Sequence, residues 1–376
     1  MSKRLIGGRF KGQSEFEHGR QASMGVLVVN LGTPDEPTTA SVRRYLAEFL
    51  SDSRVVEIPK LLWMLILHGI ILRLRPAKSA RAYQRVWTEN GSPLMAASAE
   101  LIQDLGAAIR SRAGGKTSVV LAMRYGQPSI KKGLEQLQAE GAERVMVLPL
   151  YPQYSGATTG TVADAVFTNL LKWRWVPEIR LLGAYHDDPQ YIRAVSESIK
   201  QHWVDKGQAD KLLISFHGMP KATLLAGDPY YCHCHKTARL IAEDLALEDN
   251  QWELAFQSRF GAAEWLKPYV AERLTALPAE GVKHLTVVCP GFAVDCLETL
   301  EEIAMEGRDD FIAAGGEQFD YVPALNASAS HVELLADRVI KQAAGWPEVD
   351  QSYNQAEQQN QLLASKYSAV AEGATQ

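Results

Sequence analysis

The feature that most limits the fold of this chain is a series of short apolar segments without polar alternation. Each segment is rich in leucine or β-branched residues, and several lead into a loop that contains glycine or proline. Strands in parallel sheets have this character, because helices cover both of their faces. The pattern predicts seven strands, at residues 26–31, 118–123, 144–148, 179–184, 212–216, 253–257 and 285–289.

Helical periodicity lies between these predicted strands, as at 98–109 and 191–204. Alternating strands and helices are typical of an α/β fold with doubly wound sheets. A break near 207–210 divides the pattern, which predicts two similar Rossmann-like lobes with parallel sheets and a ligand-binding cleft between them. The predicted organisation is a polar tail, two lobes and a second tail that is solvated or loosely helical, at 1–23, 24–206, 207–346 and 347–376.

Composition excludes several classes of protein. The net charge is −5 and no basic stripe is present, so a nucleic-acid partner is not expected. Four cysteines in 376 residues do not make a disulfide framework, and the polar amino-terminal segment lacks the features of a signal peptide. A cytoplasmic location is therefore expected. The sequence also lacks the glycine-rich dinucleotide fingerprint, the P-loop, the H-E-x-x-H zinc motif and the G-x-S-x-G nucleophile motif.

One unusually apolar segment, L-L-W-M-L-I-L-H-G-I-I-L-R-L at 61–74, has two interpretations. It is shorter than the roughly 18 apolar residues that a membrane-spanning helix needs. It is either a buried helix of the core or an exposed apolar lip that touches a bilayer or admits an apolar ligand.

Two strand-end loops carry side chains suited to proton transfer and metal binding. His217 ends the predicted strand at 212–216, and an imidazole can accept and release protons near neutral pH. Asp295, Glu298 and Glu302 follow the strand at 285–289, and the two glutamates share one helix face because they are four residues apart. These carboxylates form either a helix-capping pattern or an acidic path that carries protons or guides a cation.

Two further loops leave their roles open. The hydroxyl-rich segment at 148–160 is either an ordinary connection or a nest of backbone N–H groups for an anion. The run Cys232-His233-Cys234-His235 invites a metal interpretation, but its spacing does not match a structural zinc site.

Taken in order, these loops resemble the ferrochelatase family from about residue 25 to residue 326. Each motif alone is weak, but the ordered set is specific. The matching motifs are V-N-L-G-T-P-D-E-P at 29–37, F-L-S-D-S-R-V-V at 49–56, Y-Q-R-V-W-T-E-N-G-S-P at 83–93, M-R-Y-G at 123–126, Y-P-Q-Y-S-x-x-T-T-G at 151–160, S-x-H-G-x-P at 215–220, F-Q-S-R-F-G at 256–261 and D-x-L-E-T-L-E-E at 295–302.

The resemblance implies an enzyme that inserts Fe²⁺ into protoporphyrin IX to form protohaem with release of two protons. It implies that His217 and Glu298 are the catalytic and metal-contacting residues, with Asp295 and Glu302 on an acidic path for protons or metal. It implies that the segment 61–74 faces a membrane, with the protein on the inner membrane surface. Residues that it implies at or near the porphyrin are Leu31, Arg75, Tyr83, Arg124, Tyr125, Ser155 and Trp265.

The resemblance also bears on cofactors. Some ferrochelatases hold a [2Fe–2S] cluster through a cysteine in the Y-P-Q-Y-S loop and several near the carboxyl terminus. Here the loop position is Gly156 and no cysteine follows Cys296, so that cluster is not expected and Fe²⁺ is a substrate only. A different cluster on Cys232, Cys234 and Cys289 remains conceivable. The alternative functions are insertion of another metal, or porphyrin or haem carriage on the same fold.

Overall fold

The computed structural model describes residues 10–13, 16–261, 263–350, 352 and 355–374. Within these residues the chain forms two four-stranded sheets. The first contains β1 (Ser23–Gly32), β2 (Thr117–Tyr125), β3 (Ala142–Pro149) and β4 (Glu178–Leu181). The second contains β5 (Lys211–His217), β6 (Trp252–Gln257), β7 (His284–Val288) and β8 (Gln318–Val322).

Helices connect the strands and cover both sheets. In the first half they are α1 (Thr39–Leu50), α2 (Lys60–Ile66), α3 (Leu72–Val86), α4 (Pro93–Arg112), α5 (Ile130–Ala139), α6 (Thr161–Leu170) and α7 (Pro189–Lys206). In the second half they are α8 (Lys221–Leu225), α9 (Tyr230–Asp244), α10 (Val270–Ala276), α11 (Leu297–Thr299), α12 (Arg308–Ala313), α13 (Ala329–Gln342) and α14 (Gln355–Ala371). Leu67–Ile71, Gly156–Gly160 and Leu300–Gly307 are π-helical, and Leu277–Glu280 and Pro347–Val349 are 3₁₀ turns.

The two sheets have the same topology. Their strand orders are β2-β1-β3-β4 and β6-β5-β7-β8, and every pairing is parallel. The predicted α/β fold with two similar parallel sheets is confirmed. The sequence reasoning missed β8, because Gln318–Val322 is a short edge strand with polar residues and only one fully buried position.

Apolar residues on both faces of the central strands explain the layers. On β1, Val26 and Val28 contribute to the largest core, whereas Leu27 and Val29 contribute to a second core with α5 and α6. Successive side chains of a strand point to opposite faces, so a continuous apolar run must be covered on both sides. The largest core contains residues of both sheets together with helices α4, α7, α9 and α13.

The two lobes therefore share a core. The chain passes from the first to the second lobe between Lys206 and Lys211, yet α13 at the end of the second lobe packs on α4 of the first. Gly207 ends α7 with φ of 90°, a conformation that favours glycine.

Parts of both predicted tails are attached. Lys11 forms a β-bridge with Trp173, and Lys366 of α14 pairs with Glu17 at 2.9 Å. The tail prediction for residues 1–9, 14–15, 351, 353–354 and 375–376 lies outside the described residues.

The apolar segment at 61–74 is an exposed lip. Trp63, Leu67 and Leu72 anchor it in the core, while Leu61 and Leu65 are 87% and 74% exposed. Among the described residues, no helix is long and apolar enough to cross a membrane.

Candidate active site

His217 is the last residue of β5 and is partly buried. Its Nδ1 lies 2.7 Å from the carbonyl oxygen of Gly218, which can only accept a hydrogen bond. In the neutral imidazole Nδ1 must therefore carry the proton, which leaves the lone pair on Nε2. This contact makes Nε2 the proton-accepting atom of His217.

The peptide around His217 is held from several directions. Gly218 N–H donates to the carbonyl oxygen of Gln257 at 2.7 Å, and Tyr230 Oη donates to the carbonyl oxygen of His217 at 2.9 Å. The indole of Trp265 packs against Gly218 so closely that a Cβ there would lie 3.0 Å from the ring. The orientation of the imidazole thus depends on the residues that hold this peptide.

Glu298 and Glu302 lie on α11 and the π-helix that continues it. π-helical turns are rare and are frequent at functional sites. Gln257, the register partner of His217, donates from Nε2 to the carbonyl oxygen of Glu298 at 2.8 Å. One buried amide therefore links the histidine strand to the carboxylate helix.

Ser258 holds the carboxylate of Glu302. Its backbone N–H donates to Oε1 at 2.6 Å, and its hydroxyl donates to Oε2. Burial raises the pKa of Glu302, while the hydrogen bonds of Ser258 and the charge of His217 oppose this rise and the charge of Glu298 adds to it. Ser258 has φ of 63°, a left-handed conformation that costs energy outside glycine and aims both donors at the carboxylate.

Asp295 anchors the start of the carboxylate helix. Its Oδ1 accepts from Tyr321 Oη at 2.6 Å and Thr299 Oγ1 at 2.9 Å, and its Oδ2 accepts from Asn326 Nδ2 at 2.8 Å. The helix N-cap is Cys296 rather than Asp295. Three side-chain donors therefore engage this carboxylate, which fixes the loop between β7 and α11.

Arg75 and Tyr83, both on α3, approach Glu298 from the first lobe. Burial lowers the pKa of Arg75, and the negative charge of Glu298 opposes that shift. The Arg75 guanidinium also lies 4.4 Å from the centre of the Phe260 ring, a cation–π contact between the lobes. A pocket at this junction is lined by Gly32, Thr33, Tyr45, Tyr83, Ser92, Pro93, Leu94, Cys296, Leu297 and Glu298.

Arg124 and Tyr125 are engaged by Asp52 instead of facing an open cleft. Tyr125 is fully buried and its hydroxyl donates to Asp52 Oδ2 at 2.9 Å. Arg124 and Thr161 also donate to Asp52. Burial would raise the pKa of Asp52, but these hydrogen bonds and the charge of Arg124 lower it overall.

The segment at 148–160 was interpreted either as an ordinary connection or as an anion nest, and two of its donors bind a carboxylate of the chain itself. Ser155 is fully buried, and its hydroxyl donates to Asp228 Oδ2 at 3.0 Å. The backbone N–H of Gly156 donates to the same oxygen at 2.7 Å. The carboxylate of the second lobe thus occupies the anion site of the first.

Leu31 and Trp265 lie on opposite lobes near this region. Leu31 is partly buried on β1 and packs against both the largest core and the core around α1 and α3. Gly32 follows it with φ of 113°, and a Cβ there would lie 1.8 Å from the carbonyl oxygen of Tyr125. Glycine is therefore required at the end of β1.

The Cys-His run lies on one turn of α9, which points its side chains in different directions. Cys232 is exposed, Cys234 is buried, and the ring of His233 stacks on His186 at 3.7 Å. Within the described part of the chain, no three His, Cys, Asp or Glu side chains form a metal-binding group.

Sequence reasoning missed four residues that shape this site. Gln257 and Ser258 are polar residues of the F-Q-S-R-F-G motif, and their place in that motif could have indicated a role at the site. Asp228 and Tyr230 had no signal, because their partners are distant in sequence.

The fold is similar to that of solved chelatases. A structure of SirB from Bacillus subtilis with Fe³⁺ aligns with a TM-score of 0.52 at 13% identity, over 87% of this chain and 100% of that one. The sirohydrochlorin chelatase SirB from Bacillus subtilis subspecies spizizenii, in complex with cobalt, aligns with a TM-score of 0.51 at 11% identity, over 85% and 95%. The protein has the chelatase fold.

The sequence comparisons define the family. The ferrochelatase family model matches residues 23–343. A ferrochelatase of Nitrosococcus oceani is 52% identical over 367 residues, covering 98% of this chain and 100% of the relative. One of Thioalkalivibrio sulfidiphilus is 51% identical over 366 residues, covering 97% and 99%. This chain belongs to the ferrochelatase family, and its activity is the insertion of iron into a porphyrin in haem synthesis.

Proposed function

We propose that protoporphyrin IX is metallated by Fe²⁺ in the cleft between the lobes, with Nε2 of His217 as the proton acceptor. The observation that carries this proposal is the contact between His217 Nδ1 and the carbonyl oxygen of Gly218. It leaves an imidazole lone pair on the side of the ring away from that peptide. The charge of His217 also acts on Glu302, so a base and a carboxylate share one electrostatic environment.

The chemistry requires a base and exchangeable metal ligands. Two pyrrole N–H protons must leave the porphyrin, and Fe²⁺ must shed water before it enters the ring. A cleft that binds a bent macrocycle better than a flat one exposes the nitrogen lone pairs. His217 takes up pyrrole protons, and each must pass on to solvent before the next turnover.

Carboxylates suit the metal side of this reaction. They bind a hard-to-borderline cation as exchangeable oxygen ligands, so that the metal is guided without being trapped. In this proposal Glu298 contacts the metal together with His217, and Glu302 continues the path for protons or metal. Asp295 supports that path by anchoring the carboxylate helix through Tyr321 and Asn326.

The predicted porphyrin contacts divide into two groups. Arg75 supplies a cation for a porphyrin carboxylate, and Tyr83, Leu31 and Trp265 supply the walls that meet the ring. Arg124, Tyr125 and Ser155 support the cleft from behind, since Asp52 and Asp228 already engage them.

The proposed reaction uses no resident cofactor. Proton transfer by His217 and metal guidance by carboxylates need no electron transfer, because iron enters and remains as Fe²⁺. The exposed Cys232 and the buried Cys234 and Cys289 therefore have no part in it.

The lip at 61–74 is proposed to rest on the inner surface of a membrane, with the rest of the protein in the cytoplasm. Leu61, Leu65 and Leu74 are 87%, 74% and 73% exposed, and Arg73 beside them is exposed as well. An apolar face next to a cation suits the interface of an anionic bilayer. Sedimentation with anionic vesicles tests this: Leu61→Ser with Leu65→Ser should reduce binding, and unchanged binding would contradict the proposal.

The central experiment follows porphyrin metallation by visible absorbance under anaerobic conditions. The wild-type chain should turn over with Fe²⁺, and His217→Ala should bind porphyrin but metallate it at least about a hundredfold more slowly. A carrier would instead shift the porphyrin spectrum once, in proportion to protein. Parallel assays with Co²⁺ and Ni²⁺ separate iron from other metals, and full activity of His217→Ala would overturn the proposed base.

A further inference from the structure

A chain of hydrogen bonds joins the first lobe to the backbone of His217. Ser155 Oγ and the backbone N–H of Gly156 donate to Asp228 Oδ2, at 3.0 and 2.7 Å. The backbone N–H of Tyr230 donates to Asp228 Oδ1 at 2.9 Å, and Tyr230 Oη donates to the carbonyl oxygen of His217 at 2.9 Å. We call this path the Asp228–Tyr230 connection.

The connection ends at the 217–218 peptide, next to the peptide whose carbonyl oxygen orients the imidazole. His217 Nδ1 binds the carbonyl oxygen of Gly218, so a rotation of the 217–218 peptide would displace Gly218 and with it the acceptor that orients the ring. Tyr230 is buried, and its hydroxyl is held at the neighbouring carbonyl. The direction of Nε2 is therefore tied to the nest in the first lobe.

From this geometry we infer that Asp228 and Tyr230 are positioning residues for proton transfer by His217. Asp228 binds across the lobes and fixes the start of α9, and Tyr230 transmits that position to His217. The inference rests on the proposed role of His217 as proton acceptor. In this inference Ser155 and Gly156 hold Asp228 in place and do not contact the porphyrin, because their hydrogen-bond donors bind the Asp228 carboxylate.

The connection should affect turnover more than porphyrin binding. Partners that orient a reactive histidine from behind are typically worth about 10–100-fold in activity. Without the Tyr230 hydroxyl, the carbonyl of His217 loses a partner and Nε2 is less often aimed at a pyrrole nitrogen. The walls that meet the porphyrin ring are elsewhere, so affinity for porphyrin should not change.

The first test is Tyr230→Phe in the full chain, assayed with Fe²⁺ and protoporphyrin IX. We expect kcat to fall about tenfold and KM for porphyrin to stay within about twofold. Tyr185→Phe is the matched control: Tyr185 is also buried, and its hydroxyl has no hydrogen-bond partner among the described residues. Its kcat should equal that of the wild type.

The second test is a double-mutant cycle with Asp228→Asn. If Asp228 acts through Tyr230, the double variant should lose no more kcat than the more impaired single variant. Ser155→Ala, which removes one donor to Asp228 from the other lobe, replaces Asp228→Asn if that variant does not fold. Multiplicative losses in the cycle would overturn the inference.

Other outcomes also decide the matter. An unchanged kcat in Tyr230→Phe, or an equal fall in Tyr185→Phe, would overturn the positioning role. A fall in kcat matched by a large rise in KM would indicate general damage to the cleft and would overturn it too. Full activity in His217→Ala would show instead that the proposed base itself is wrong.

Discussion

The two lobes share one strand order but use their strand ends differently. At the last register pair of the leading strands, the first lobe places Gly32 beside Tyr125, and the second places His217 beside Gln257. The first pair is packed: Gly32 touches the Tyr125 backbone, and the Tyr125 hydroxyl binds Asp52. The second pair presents a partly buried imidazole. Equivalent positions of one topology thus carry a packed pair in one lobe and the proposed base in the other.

The third strands extend the same contrast. β3 leads into a loop and a π-helical segment capped by Ser155, whereas β7 leads into a loop and α11, which Cys296 caps and which continues as a π-helix. In the first lobe the donors at that cap hold Asp228. In the second lobe the helix carries Glu298 and Glu302. The donors at the cap of the first lobe thus bind a carboxylate of the chain itself, whereas the helix of the second lobe carries Glu302, whose carboxylate interacts electrostatically with His217.

The largest expected effect is the loss of enzyme turnover when His217 of the second lobe is replaced. His217→Ala should lower kcat by at least about a hundredfold, because the base is removed, while its urea unfolding curve stays near that of the wild type. Tyr125→Phe is the comparison in the first lobe and should keep kcat within about twofold. If Tyr125→Phe lost turnover as severely as His217→Ala, the contrast between the lobes would fail.

The next effect concerns the end of β1. Gly32→Ala should lower the free energy of unfolding by about 3 kcal/mol, since φ of 113° strains alanine and its Cβ would overlap the Tyr125 carbonyl. Urea denaturation followed by circular dichroism measures this. Gly227→Ala serves as a control for strain alone, because φ there is 96° and no atom lies within 4 Å of the added Cβ. Equal losses in the two variants would rule out the close contact as a cause.

A smaller loss is expected for the paired charges of the first lobe. Asp52→Asn should lower the free energy of unfolding by about 2 kcal/mol, because Arg124 loses its charged acceptor in a partly buried site. The same variant should keep its kcat with Fe²⁺. If Asp52→Asn lost activity while its free energy of unfolding stayed unchanged, Asp52 would have a role in the reaction and not only in the structure of the first lobe.

The smallest effect is a change in the pH dependence of stability. The pKa of Glu302 is raised by burial, so the folded protein retains this proton at pH values where the unfolded chain has lost it. Stability from this group is therefore present at low pH and declines as pH rises through the folded pKa. Glu302→Gln removes that decline, so its stability relative to the wild type should increase as the pH rises above the ordinary pKa of a glutamate. Urea unfolding at several pH values measures this difference, and a difference that shrinks with pH would contradict the direction of the shift.

Local pattern predicted seven of the eight strands, including three of the four edge strands. The unbroken apolar runs of β1 and β5 required cover on both faces, so parallel sheets with helices could be foreseen from the residues alone. β8 was missed, because Gln318–Val322 has only one fully buried position and its polar pattern resembles a loop.

The residues of the candidate site also divide into those that the sequence predicted and those that only the structure revealed. The sequence by itself determined the apolar strands and the chemistry available at their ends: an imidazole at 217 and carboxylates at 295, 298 and 302. These follow from local order, which folding does not change. Only the tertiary structure decided which groups remain free, because hydrogen-bond partners such as Ser155 and Asp228 are 73 residues apart. A buried donor must find an acceptor wherever the fold brings one.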